Sequence, residues 1–169
     1  MDLTRLFTAA IEYNAGDPRR IQHLAKVWAF SRALAQAEGL SGDALETLEA
    51  ASILHDIGIH EAERKHNSSA GPYQEQEGPA VARPLLETAG ASAAEIKRVC
   101  FLIAHHHTYT ASEDLDFRIL IEADFLVNAY EDALPEASCR VANERIFRTK
   151  TGKHYLQALY LAPPYGAAK

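Results

Sequence analysis

Apolar residues recur three and four positions apart along nearly the whole chain, and nowhere do they alternate long enough for a convincing strand. Side chains at i, i+3, i+4 and i+7 share one face of an α-helix, so this spacing predicts a series of helices that each bury one stripe. Leu3, Leu6, Phe7, Ala10 and Ile11 form the first stripe, which breaks at Gly16. Asp17 before Pro18 is a capping residue followed by the residue best tolerated in a first turn, and it opens a second stripe of Ile21, Leu24, Trp28 and Leu34 that stops at Gly39. A third helix starts after Ser41, carries Leu45, Leu48, Ala51 and Leu54, and ends near Gly58.

Residues 60–76, "HEAERKHNSSAGPYQEQ", lose this periodicity and contain turn formers, which predicts an ordered loop or lid. A helix from about Glu77 to Thr88, bent by Pro84, ends at Gly90. Ser92 with Glu95 matches a capping box, and the helix it opens buries Ile96, Val99, Cys100 and Ile103. Phe117, Leu120, Ile121 and Phe125 make another stripe, further helices fill roughly 136–160, and the tail "APPYGAAK" is expected to fray. With no internal repeat and no glycine-rich phosphate loop, the pattern predicts an all-α fold.

Its 169 residues suit one domain able to bury a core without staples. A net charge of −6 disfavours a nucleic acid polymer as partner, although a local basic pocket remains compatible with a small anion. No basic leader and no run of about 18 apolar residues is visible, so no membrane partner is expected and the cytoplasm is the expected location. Cys100 and Cys139, the two cysteines, have no metal-type spacing and are read as packing residues of a reducing compartment.

Against this pattern, several ionisable residues fall where the stripes call for Leu or Ala. His55 follows Leu48 and Ser52 on the inward face of its helix. Asp124 continues the stripe of Phe117, Leu120 and Ile121, and points on to Asn128. His106 and His107 extend the stripe that ends at Ile103. Burying any one of these alone costs several kcal/mol or forces it neutral. Burying them together becomes favourable around a divalent cation, for which imidazole nitrogen and carboxylate oxygen are suitable ligands.

The order His23, then the doublet His55 and Asp56, then Asp124, each on a separate helix, resembles the HD-domain superfamily of metal-dependent phosphohydrolases. "ILHDIG" resembles the context of that family's doublet, and "EADFLVN" the context of its late aspartate; the resemblance covers roughly residues 20–131. It implies a single-domain helical bundle over 1–169, with the metal-binding region at about 20–131 and C-terminal helices over about 136–160. It also implies that His23, His55, Asp56 and Asp124 surround a divalent metal. A second ion in many members is bridged by the doublet aspartate and held by a middle histidine and a later histidine pair. In this chain Glu77 stands at the middle position, a departure that changes the charge of the second site, and Ile103 in phase selects His106 and His107 ahead of His105 for the pair.

The activity implied is hydrolysis of a phosphate ester of a nucleotide or small phosphorylated metabolite, with Asp56 and His55 at the catalytic centre and one or two ions drawn from Mn, Fe, Ni, Co, Zn or Mg. Arg64, Lys65, His66 and Tyr73 are candidate substrate contacts, with His60 and Gln74 nearby; His60, His66 and His107 are candidate proton donors to the leaving oxygen. Asn128 is expected to hydrogen-bond Asp124 rather than ligate. Two other readings remain: a two-iron HD-fold oxygenase, and a sensing domain that keeps metal or nucleotide without turnover. The "GYP" motif of relatives that degrade cyclic dinucleotides is absent after the histidines, which argues against that substrate.

Overall fold

The computed structural model describes residues 1–163. The end of the tail expected to fray, residues 164–169, lies outside the described residues. Helices run α1 Leu3–Tyr13, α2 Pro18–Ala37, α3 Gly42–Leu54, α4 Ile59–His66, α5 Gly71–Thr88, α6 Ala93–Ile103, α7 Leu115–Glu131, α8 Glu136–Arg145 and α9 Lys150–Leu156, which continues into a π-helical turn, Gln157–Leu161. The described residues contain no strand, so the chain is all-α. None of these helices is long and apolar enough to cross a membrane.

Helix starts follow the expected chemistry. Asp17 Oδ1 accepts from Arg20 N ahead of Pro18, and Ser92 and Glu95 form the reciprocal capping box. The centre of the bundle is α2 packed against both α3 and α7, with α6 closing on α3. Its filling is aliphatic: Val27, Leu34, Leu48, Leu54, Leu102, Ile103, Leu120 and Leu126 are all buried. His23, Val27, Ser31 and Leu34 share one stripe of α2, so His23 reaches the core from the end of that stripe.

The stretch read as a loop at 60–76 is mostly helical. Helix α4 occupies Ile59–His66, and α5 begins at Gly71 rather than at Glu77. The turn signals were placed correctly only at Asn67–Ala70, where Asn67 ends α4 with a left-handed φ of 51°. Eight residues are too short for an apolar stripe to stand out, yet α4 gains from Glu61 in its first turn and from Arg64, Lys65 and His66 in its last. Pro72 starts α5 without loss of a backbone bond, and Pro79 and Pro84 both lie within it.

Two features fix the helices that carry the polar residues. Helix α5 lies directly on the turn after Asp56: a Cβ on Gly58 would stand 2.6 Å from Gly78 N and 2.7 Å from Gln74 O. Gly78 in turn has Ile103 Cγ2 2.5 Å from where its own Cβ would be. At the other end, the buried Glu122 carboxylate accepts from Thr149 N at 2.9 Å, from Arg148 N and from the Thr149 hydroxyl, sealing the start of α9 onto α7.

Candidate metal centre

Four helices deliver the site. His23 comes from α2, His55 from the C-cap of α3 with Asp56 in the turn beyond, His106 and His107 from just past α6, and Asp124 from the middle of α7. His55 and His106 are fully buried, and His23 and Asp124 nearly so. Asp56 keeps 23% of its side chain exposed, and that face opens into a cavity.

Hydrogen bonding fixes which nitrogen each ring presents. His55 Nδ1 donates to Ser52 O at 2.9 Å and His106 Nδ1 to Ile103 O at 2.7 Å. His23 Nδ1 donates to Glu131 Oε2 at 2.9 Å. Carbonyl and carboxylate oxygens carry no hydrogen, so the proton of each neutral ring sits on Nδ1 and Nε2 is a bare lone pair. Those lone pairs converge. His23 Nε2 stands 3.1 Å from His55 Nε2, and Asp124 Oδ1 lies 3.3 Å and 3.5 Å from the two. Asp56 Oδ2 is 3.6 Å from His23 Nε2 and 3.7 Å from His55 Nε2.

With the rings neutral, acceptors facing acceptors at such distances repel unless something positive, a proton or a metal cation, lies between them. Ligands about 2.1 Å from a cation sit about 3.0 Å apart at a right angle and about 3.4 Å apart at a tetrahedral angle. The observed 3.1–3.7 Å edges match that polyhedron, so His23, His55 and Asp56 fit a divalent cation, with Asp124 within 3.5 Å of both imidazole nitrogens as a further candidate ligand. The protonation equilibria express the same demand for positive charge. Burial acts to lower the His23 pKa, but hydrogen bonding to Asp124 and the charge of Asp56 outweigh it and raise the value to about 9. His55 is raised by the same two carboxylates against its burial. Desolvation acts to raise both carboxyls, but the surrounding imidazoles hold the partly exposed Asp56 and the buried Asp124 well below the usual carboxylate range.

A second group shares Asp56. Its Oδ1 lies 3.2 Å from His106 Nε2, and Asp56, His106 and His107 bring ligand atoms within 4.8 Å of one another. His107 adopts the opposite tautomer. Gln74 Nε2 donates to Ser69 O at 2.6 Å, which turns Gln74 Oε1 toward His107 Nε2 at 3.2 Å as an acceptor, so Nδ1 is the free ring atom. Burial and then the neighbouring His106 lower the His107 pKa to about 4, keeping it neutral.

Glu77, expected beside His106, is placed differently: its carboxylate is taken by Lys65 Nζ and, at 3.0 Å, by His66 Nε2. The hydrogen bond from Lys65, and then that with His66, holds the Glu77 carboxyl below its ordinary range. Helix formation over Ile59–His66 causes this, because it turns Lys65 and His66 onto α5. The same turn corrects the placement of the substrate contacts: Arg64 pairs with Glu61, Tyr73 stacks on His66 with ring centroids 4.2 Å apart, and none of Arg64, Lys65, His66 and Tyr73 lines the cavity. His105 donates to Phe101 O and joins neither group, and Asn128 Nδ2 donates to Asp124 Oδ1 at 2.8 Å as expected.

The cavity over Asp56 and His23 has a volume of about 370 Å³. Its cations are Arg19 and Arg20 at the start of α2, which the sequence reading did not single out. Glu131 was missed too, although it follows Asp124 and Asn128 at helical spacing. It links His23 to Lys26 Nζ and so fixes the ring of His23 by a charged acceptor, where His55 and His106 use backbone carbonyls. Glu131→Ala is expected to weaken metal affinity about 10- to 100-fold, read by competition with a chromophoric chelator, with a smaller loss in Glu131→Gln.

Comparison with known proteins adds two findings. The family model described as HD domain matches residues 20–139. A solved structure described as a predicted HD superfamily hydrolase from an uncultured Thermotogales bacterium is 26% identical, is covered over 92% of this chain and 83% of that one, and superposes with a TM-score of 0.64. No curated protein matches the sequence.

Proposed function

The chain belongs to the HD domain family, and from that premise we propose that it is a metal-dependent phosphohydrolase that cleaves a phosphate ester of a nucleotide or other small metabolite. One observation carries the proposal: three imidazole lone pairs and two carboxylates face one another at coordination distances beside an open polar cavity. The similar solved protein described as a hydrolase supports the reaction class.

When bound, a divalent cation supplies Lewis acidity, making water easier to deprotonate near neutral pH and offsetting charge on phosphoryl oxygens. The chain's own groups do the rest. Asp56, shared by the two groups and open to the cavity, is placed to orient the attacking water and accept its hydrogen bond. Arg20, a quarter exposed and held by Asp17 and Glu63, presents a guanidinium to the cavity for a phosphoryl oxygen. Asn128 keeps Asp124 turned inward. His107, held neutral with Nδ1 unengaged, suits ligation beside Asp56 and His106 better than proton donation to a leaving oxygen.

Metal removal tests the proposal. Protein stripped with a chelator is expected to lose phosphate release from a phosphomonoester and to regain it on adding Mn²⁺ or Co²⁺; release that persists without metal would refute it. The shared carboxylate also suits a two-iron oxygenase, and oxygen uptake by iron-loaded protein, unaccompanied by phosphate release, would favour that second reading.

A further inference from the structure

We infer that the substrate is a small polyhydroxylated phosphomonoester, a sugar or polyol phosphate, and not a nucleotide; the inference rests on the phosphohydrolase reading above. What lines the cavity decides this. Apart from His23, no aromatic ring borders it among the described residues, and Ile59 is its one apolar side chain. Tyr73, the aromatic residue nearest in sequence to the lining residue Gln74, is stacked on His66 instead. A nucleobase therefore finds no flat apolar platform, and stacking supplies about 1–3 kcal/mol per base where such a platform exists.

The remaining lining is hydrogen-bonding surface. Asp17, Glu131 and Asp132 line it with carboxylate oxygens, and Ser69, Gln74 and Asn128 with hydroxyl and amide groups; Glu131, Gln74 and Asn128, already bonded to His23, His107 and Asp124, add their remaining lone pairs and amide hydrogens. Carboxylates next to side-chain amides suit the hydroxyl groups of a polyol, each of which both donates and accepts. Electrostatics limit the substrate to one phosphoryl group. Four carboxylates, including Asp56, face two guanidinium groups, so an anion is welcome only beside the metal and Arg20, and a second or third phosphate further out meets Asp17 and Asp132. Size agrees: a cavity of about 370 Å³ is at the small end for ligand sites, ample for a pentose phosphate and too small for a dinucleotide.

Two matched pairs of esters test the inference on manganese-loaded full-length protein, by phosphate release and by calorimetric binding. Glycerol 3-phosphate against propyl phosphate isolates the hydroxyl groups; ribose 5-phosphate against adenosine 5′-monophosphate isolates the base. The first member of each pair is expected to be favoured at least about tenfold in kcat/KM and in binding, the effect of one or two well-made hydroxyl hydrogen bonds. Equal or better use of propyl phosphate or of the nucleotide would overturn the inference, as would failure of both hydroxylated esters to bind. Selective binding of the hydroxylated esters without phosphate release would uphold the pocket assignment while removing the hydrolytic reading.

Discussion

Asp56→Ala is expected to lower phosphate release by at least about a thousandfold and to leave the purified protein with little bound metal. Asp56 is the one residue common to both ligand groups: Oδ2 faces His23 and His55, while Oδ1 faces His106. Truncation leaves Asp124 as the one carboxylate beside His23 and His55, leaves His106 with none, and removes the carboxylate shared by both groups. Asp56→Asn keeps the shape without the charge and is expected to fall between the two proteins in metal content. Because Asp56 sits in a turn and is partly exposed, helicity by circular dichroism should change little. Full metal content in Asp56→Ala, measured by elemental analysis, would contradict the assignment.

A comparable loss is expected from a single methyl group. Gly58→Ala places Cβ 2.6 Å from Gly78 N, 2.7 Å from Gln74 O and 2.8 Å from Gly78 Cα, all backbone atoms that move only with α5 as a whole. The expected destabilisation is roughly 3 kcal/mol, a fall of about 6–12 °C in Tm for a chain of this size. Function should suffer more than stability suggests, because a displaced α5 pulls Gln74 from His107 and loosens the turn that holds Asp56. Differential scanning calorimetry of metal-free protein, paired with metal affinity, checks both parts; an unchanged Tm would mean that α5 is not in close contact with that turn.

The helical bundle and the inward convergence of His23, His55, Asp56 and Asp124 were legible because each leaves a local mark: a 3.6-residue stripe, a cap, or an ionisable side chain on a face that should be apolar. What escaped depended on short-range geometry. Helix α4 is too brief to show a stripe, and once formed it commits Lys65 and His66 to Glu77, which no spacing argument anticipates. His107 was named as one of a pair, yet its inverted tautomer follows from Gln74 and Ser69, which lie 33 and 38 positions earlier in the chain. Arg19 and Arg20 were not singled out, because only the approach of α7 to α2 makes them the rim of a cavity. Glu131 was the avoidable omission, since positions 124, 128 and 131 share a face.

The tautomers set by Ser52, Ile103 and Glu131 have a kinetic meaning. A ring whose outer hydrogen is already committed has neither to flip nor to exchange tautomers when an ion arrives, so loading should be governed by entry through the cavity and by displacement of the proton on His23. The centre is thus organised in advance: a cation entering by the cavity exchanges for the proton on His23 and finds the rings already turned to receive it.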